Sequence, residues 1–151
     1  MTPIGTLTTD HVGLNVTDLD RSLTFYGEVL GFETLGEGTE GDSRFAFLGR
    51  EGRLVLTLWQ QAGEAYAPGR AGLHHLAFEA ESLDHVRAAE AALLARGTTF
   101  AYKGIVAHHE GADSGGIFFH DPDGTRLEIS ASLGAETADA PSEMAPTCGF
   151  F

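Results

Sequence analysis

One pattern occurs twice in this chain, so any fold it adopts must be a pair of like modules. "HVGLNVTDLD" from His11 aligns without a gap on "HLAFEAESLD" from His75. His11 falls on His75, Val12 on Leu76, Leu14 on Phe78, Leu19 on Leu83 and Asp20 on Asp84. Downstream, "GRLVLTL" from Gly52 aligns on "TRLEISA" from Thr125, with Arg53 on Arg126, Leu54 on Leu127 and Leu56 on Ile129. Between the matched leucines stand Val55 and Glu128. The repeat singles out four equivalent positions, His11, His75, Val55 and Glu128. Three of them carry metal-ligand side chains and Val55 does not.

Local patterning gives each module the same plan. Residues 8–16 alternate as a strand does. Asp18 caps a helix over about 19–30, with Leu19, Leu23, Tyr26 and Leu30 on one face and Gly31 at its end. Short strands follow near 32–36, 43–48 and 53–60, and residues 61–71 read as a linker. The plan then repeats: a strand over 72–79, a helix over about 83–96 capped by Ser82 and closed by Gly97, and strands near 99–103, 115–120 and 125–131. "DPDG" at 121–124 is a turn, with Pro presetting φ and Gly relieving strain. The order β-α-β-β-β, taken twice, predicts an α+β fold. Paired βαβββ modules, about 8–60 and 72–131, form one domain over 1–133, a cupped mixed sheet with helices on its outer face. Residues 134–151 form a polar, Ala-rich tail expected to be loosely held, with an apolar "CGFF" end fit to dock.

Strand parity then selects a face. Val12, Leu14 and Val16 share one side of their strand, and His11, Gly13 and Asn15 the other. Leu54, Leu56 and Leu58 oppose Val55, Thr57 and Trp59. Leu76 and Phe78 oppose His75, Ala77 and Glu79. Leu127 and Ile129 oppose Arg126, Glu128 and Ser130. A slip of one residue in any strand would break this agreement. Both histidines and Glu128 fall on the face away from the helices. Two imidazoles and a carboxylate suit Fe, Mn, Zn or Ni and leave positions open for substrate. An ion so held acts as a Lewis acid. Thr57 and Asn15 share that face, and Trp59, Phe47 and Phe118 line the same pocket or fill the core.

Composition narrows the partners. Nine basic residues stand against 22 acidic ones, a formal net charge of −13. That excludes nucleic acid, whose phosphates need a basic footprint, and equally an anionic membrane surface. A small neutral or cationic ligand fits. The single cysteine, Cys148, precludes an internal disulfide framework. With no secretory signal and no spanning apolar run, the expected location is the cytoplasm. The remaining candidates have blander readings. His74 points away from His75 and serves as an outer partner or in packing, and His120 is structural at a strand end. His108, His109 and Glu110 form a mobile surface loop, or else a lid supplying an acid-base group. Cys148 lacks a basic neighbour to activate it.

The segments "DHVGLNVTDLDRSLTFYGEVLGF" at 10–32, "GLHHLAFEAESLD" at 72–84 and "FFHDPDGTRLEI" at 118–129 resemble the vicinal oxygen chelate superfamily. Its members include glyoxalase I, extradiol dioxygenases, and fosfomycin and bleomycin resistance proteins. The resemblance implies one divalent metal per site on His11, His75 and Glu128, a small vicinally oxygenated substrate, and a homodimer. Departures matter. Val55 stands where glyoxalase I carries its first carboxylate. Phe118 stands where extradiol enzymes carry a tyrosine, and the stretch near Gln60 and Gln61 lacks their further histidine. "HHEGADSGG" at 108–116 only echoes the fosfomycin phosphonate site. The expected function is a metal-dependent enzyme of glyoxalase or dioxygenase type. The alternatives are a drug- or metabolite-sequestering protein of the bleomycin resistance type, which the acidic charge suits, and a fosfomycin-type thiol transferase.

Overall fold

The computed structural model describes residues 3–149 and residue 151. The chain divides into two compact units, Met1–Ala65 and Tyr66–Phe151.

The first unit is a four-stranded sheet in the order β1-β4-β3-β2. Its strands are β1 (Val12–Asn15), β2 (Glu33–Glu40), β3 (Ser43–Arg50) and β4 (Arg53–Trp59). β1 runs parallel to β4 and the other pairs are antiparallel. The Asp18 carboxylate accepts from the Arg21 amide at 3.0 Å and starts helix α1 (Leu19–Leu23). The segment expected to continue it widens into a π-helix over Thr24–Val29. That wider turn buries both Phe25 and Tyr26, which meet edge to face. Leu14, Val16, Leu48, Leu56 and Leu58 are buried as well. Leu56 and Leu58 are buried as their parity predicts, whereas Leu54, before a break in the ladder, is only half-buried.

The second unit repeats the sheet in the order β5-β8-β7-β6. Its strands are β5 (Leu76–Glu79), β6 (Val106–Ala107), β7 (Gly115–His120) and β8 (Arg126–Ala131). Ser82 caps helix α2 (Leu83–Ala95), accepting from the His85 amide at 3.3 Å. Val86 and Leu93 pack with Ile117, Phe119, Leu127 and Ile129. Two expectations shift here. The strand expected near 99–103 is reduced to one bridge, Phe100 with Phe119, and the edge strand forms later, at Val106–Ala107. The tail is also held more firmly than its composition suggests. Ala135 and Thr147 are buried, and the Ala135 amide donates to Asp113 O at 2.9 Å.

Register corrects the repeat. In the second unit Glu128 lies between Ala77 on β5 and Phe118 on β7. In the first, the residue between Gly13 on β1 and Phe47 on β3 is Thr57. Thr57, not Val55, is therefore the counterpart of Glu128. The ladder shifts between Leu48 and Gly49, passing from Leu56 to Leu54 and leaving Val55 unpaired as a bulge. Aligning from Arg53 misses that shift.

Candidate functional site

Glu128 is the organising residue. It sits in the middle of β8 and is only 3% exposed. Parity turns it to the sheet face opposite Leu127 and Ile129. A buried carboxylate needs partners to offset its lost hydration. Among the described residues its ion-pairing partners are two imidazoles, with no lysine or arginine. His75 Nε2 stands 3.7 Å from Oε2, and His108 Nε2 hydrogen-bonds Oε1. Both rings are about a quarter exposed.

The surrounding donors fix how protons are arranged. Ser114 Oγ lies 2.7 Å from His108 Nδ1. With the hydroxyl donating to Nδ1, the neutral ring carries its proton on Nε2 and donates it to Glu128. On the other side, Arg126 Nη1 stands 3.4 Å from His74 Nε2, and His74 Nδ1 lies 2.8 Å from His75 Nδ1. If Arg126 donates, neutral His74 donates in turn to His75 Nδ1, leaving the His75 proton on Nε2, facing Glu128. Burial holds His75 below the ordinary imidazole range. Glu128 opposes that shift, while His74 and Arg126 reinforce it. A neutral imidazole is the form that binds a metal, and ligation through Nε2 requires the ring proton to move to Nδ1.

Three more side chains complete the surroundings. Phe118 is fully buried, and Tyr102 meets its ring edge to face at 5.6 Å. The Phe151 ring lies 4.9 Å from Phe118 and 5.7 Å from His75. Cys148 brings its sulfur into the group. The ligand atoms of His75, Glu128 and Cys148 all lie within 4.8 Å of one another. Burial raises the Cys148 thiol, and the nearby Glu128 charge adds to that. Burial likewise raises the Tyr102 phenol, with Cys148 contributing.

The donor set fits a divalent cation. Imidazole nitrogen and carboxylate oxygen converge, and among the described residues the buried negative charge pairs with no lysine or arginine.

The other sequence-predicted residues belong to the first unit. His11 is exposed, its Nδ1 2.5 Å from Asp10 Oδ2. Thr57, Trp59 and Phe47 come together there. Trp59 Nε1 donates to Thr57 Oγ1 at 2.9 Å, and the Trp59 and Phe47 rings are 6.2 Å apart. Asn15 Oδ1 accepts from the Gln61 amide at 3.0 Å.

Two residues join the site, one that the sequence left open between a surface loop and an acid-base lid, and one that it did not place there. His108 is not a surface histidine, and a readable signal existed. The His108 amide donates to Ser114 O, so the two face each other across the hairpin. Counting by twos from Phe118 through Gly116 to Ser114 puts His108 on the Glu128 face. Cys148 had no such signal, because nothing in its sequence surroundings says where the tail lies.

The family model for the Glyoxalase/Bleomycin resistance protein/Dioxygenase superfamily matches residues 8–129. The chain belongs to that superfamily. It is 31% identical over 127 residues to a catechol-2,3-dioxygenase of Bacillus subtilis, covering 80% of this chain and only 41% of that protein. It is 32% identical over 129 residues to a probable lactoylglutathione lyase of Vibrio cholerae, covering 79% and 86% respectively. A glyoxylase/bleomycin resistance protein/dioxygenase domain from Frankia superposes with a TM-score of 0.73 at 27% identity, covering 85% of this chain and 99% of that one. Fosfomycin resistance proteins share the fold. No helix among the described residues is long and apolar enough to cross a membrane.

Proposed function

We propose that this superfamily member is a metal-dependent enzyme of glyoxalase or dioxygenase type. It acts on a small substrate with neighbouring oxygens, and His11, His75 and Glu128 are the metal ligands. One observation carries the reading: a carboxylate at 3% exposure is flanked by two imidazoles, with no fixed cation beside it among the described residues. A structural carboxylate in that setting would be expected to pair with lysine or arginine.

When bound, a divalent ion supplies Lewis-acid polarisation of a substrate oxygen. The rest falls to the chain. His74 steers the His75 ring through the contact between their Nδ1 atoms. His108 holds a proton at Nε2 against Glu128, with Ser114 able to re-donate at Nδ1. That hydrogen-bonded pair is placed to pass a proton between ring and carboxylate. Phe118 and Tyr102 wall the site with aromatic surface and keep water off the carboxylate. Thr57 replaces a carboxylate at the corresponding place in the first unit. A reaction needing two acidic ligands is therefore disfavoured. The single thiol suits a reducing cytoplasm and the acidic surface a neutral or cationic small molecule, while superfamily membership supports a homodimer.

The charge of −13 keeps a second reading in play, a protein that sequesters a cationic ligand without turnover. Elemental analysis of the purified protein beside His75→Ala separates the two. The enzyme reading expects about one Fe, Mn, Zn or Ni per chain in the native protein and none in the variant. Absence of metal from both, after reconstitution, overturns it.

A further inference from the structure

The tail lies beyond the family match, yet it reaches the site. Thr147 is 1% exposed and doubly held. Its amide donates to His108 O at 2.8 Å and its hydroxyl to Ala107 O at 2.6 Å. The Ala107 amide donates in turn to Asp139 O at 3.0 Å. The tail thus covers the outer edge of β6, which would otherwise leave backbone groups unpaired. A 3-10 turn over Thr147–Gly149 follows. The Phe151 ring then settles on Phe118 and His75. Cys148 lies between these two anchors, and its sulfur is within 4.8 Å of the ligand atoms of both His75 and Glu128. Donors bound to one tetrahedral ion at bonds of about 2.0–2.3 Å stand roughly 3–4 Å apart. A small contraction therefore brings all three onto a single ion.

We propose that Cys148 is a metal ligand, carried onto the ion of His75 and Glu128 by the tail, so that the resting holoprotein is capped by its own chain. This rests on the metal reading above. Ligation is a proton exchange with no change of oxidation state. The Cys148 thiol gives its proton to solvent as the sulfur–metal bond forms. A thiolate beside imidazole and carboxylate moves the metal preference toward zinc or cobalt and away from manganese. A substrate that needs the sulfur's coordination position must release the tail first.

Cobalt(II) titration of the full chain tests the proposal, with Cys148→Ser and His75→Ala alongside. A cobalt–thiolate bond gives a near-ultraviolet charge-transfer band that oxygen and nitrogen ligands do not give. The expected result is that band in the wild type, saturating with the bound ion, together with slowed reaction of the thiol toward a disulfide reagent. Cys148→Ser should still bind cobalt, with no band and an affinity lower by at least about tenfold, the loss that outer-shell partners alone can cause. His75→Ala should bind little. Equal cobalt binding by wild type and Cys148→Ser, with no band in either, overturns the Cys148 assignment and leaves the metal reading intact. No cobalt bound by the wild type overturns both.

Discussion

Replacing Glu128 with methionine should stabilise the metal-free protein and destabilise it relative to wild type once metal is present. The two sides of this prediction come from the site itself. Glu128 is nearly fully buried, and withdrawing its charge from water costs several kcal/mol after relaxation. The charge-assisted hydrogen bond from His108 returns about 1.5–3 kcal/mol, and the 3.7 Å approach of His75 adds less. Methionine has a similar reach and removes the desolvation term. Its thioether would lie against the Phe118 ring, across the strand pair. His75 and His108 remain about a quarter exposed and can turn to water. The balance favours the variant by roughly 1–3 kcal/mol, the range seen when buried ionic groups give way to apolar ones. Urea unfolding in chelator should show it as a midpoint raised by about 1 M, for a slope near 1–3 kcal/mol per M. Adding metal at a hundredfold excess over its Kd should then lift the wild type by about 2.7 kcal/mol and leave the variant unmoved. A chelated Glu128→Met protein that unfolds at lower urea than wild type refutes the reasoning. The carboxylate would then be a structural member of the sheet rather than a charge awaiting a cation.

Two further outcomes follow from ladder register and surface charge. A Cβ on Gly116 would stand 2.2 Å from Ile129 O and 2.7 Å from Ser130 Cα, both backbone atoms of β8 that cannot swing aside. Gly116→Ala should therefore cost about 1–3 kcal/mol or more in urea or thermal unfolding, and an unchanged midpoint would contradict the β7–β8 register. In the first unit, Arg44 grips Asp20 with two hydrogen bonds of 3.0 Å. The hydrogen bond first, and then the Arg44 charge, hold the Asp20 carboxyl below its ordinary value. The folded value is thus below the unfolded one. The stabilisation is fully present above the unfolded value, 3.8, and is lost as pH falls through the folded one. The stability gap between wild type and Asp20→Asn should be small for so exposed a pair and should close in acid. A gap that widens as pH falls would contradict that sign.

Much of the fold was legible because its determinants are local and periodic. Asp18 and Ser82 announce two helix starts, and both side chains accept the amide bond expected of a cap. Leu56 and Leu58 in β4 and Leu127 and Ile129 in β8 fix which face is buried. What escaped were features where two local rules compete. The stretch around Phe25 and Tyr26 has an α-helical pattern, yet it forms a π turn in which both rings are buried. Residues 99–103 have strand character, but the edge strand forms where Val106 and Ala107 meet Gly116 and Gly115. Ungapped alignment sets Val55 against Glu128, because a bulge is silent in composition. At the site, His75 and Glu128 could be read from the repeat. His108 needed the hairpin register. Cys148 needed the course of a tail that carries no repeat.

The Phe151 ring against Phe118 and His75 bears on how any ligand screen with this chain should be read. A compound that binds there must first move the ring. Its measured affinity is then its intrinsic affinity scaled by the fraction of chains whose site is uncovered. If that fraction is about one in a hundred, a micromolar binder registers as about 0.1 mM and drops out of an ordinary screen. A chain with the last residues loosened by substitution, such as Phe151→Ser, is the better bait, and the ratio of its affinity to that of the intact chain measures how tightly the cover is held.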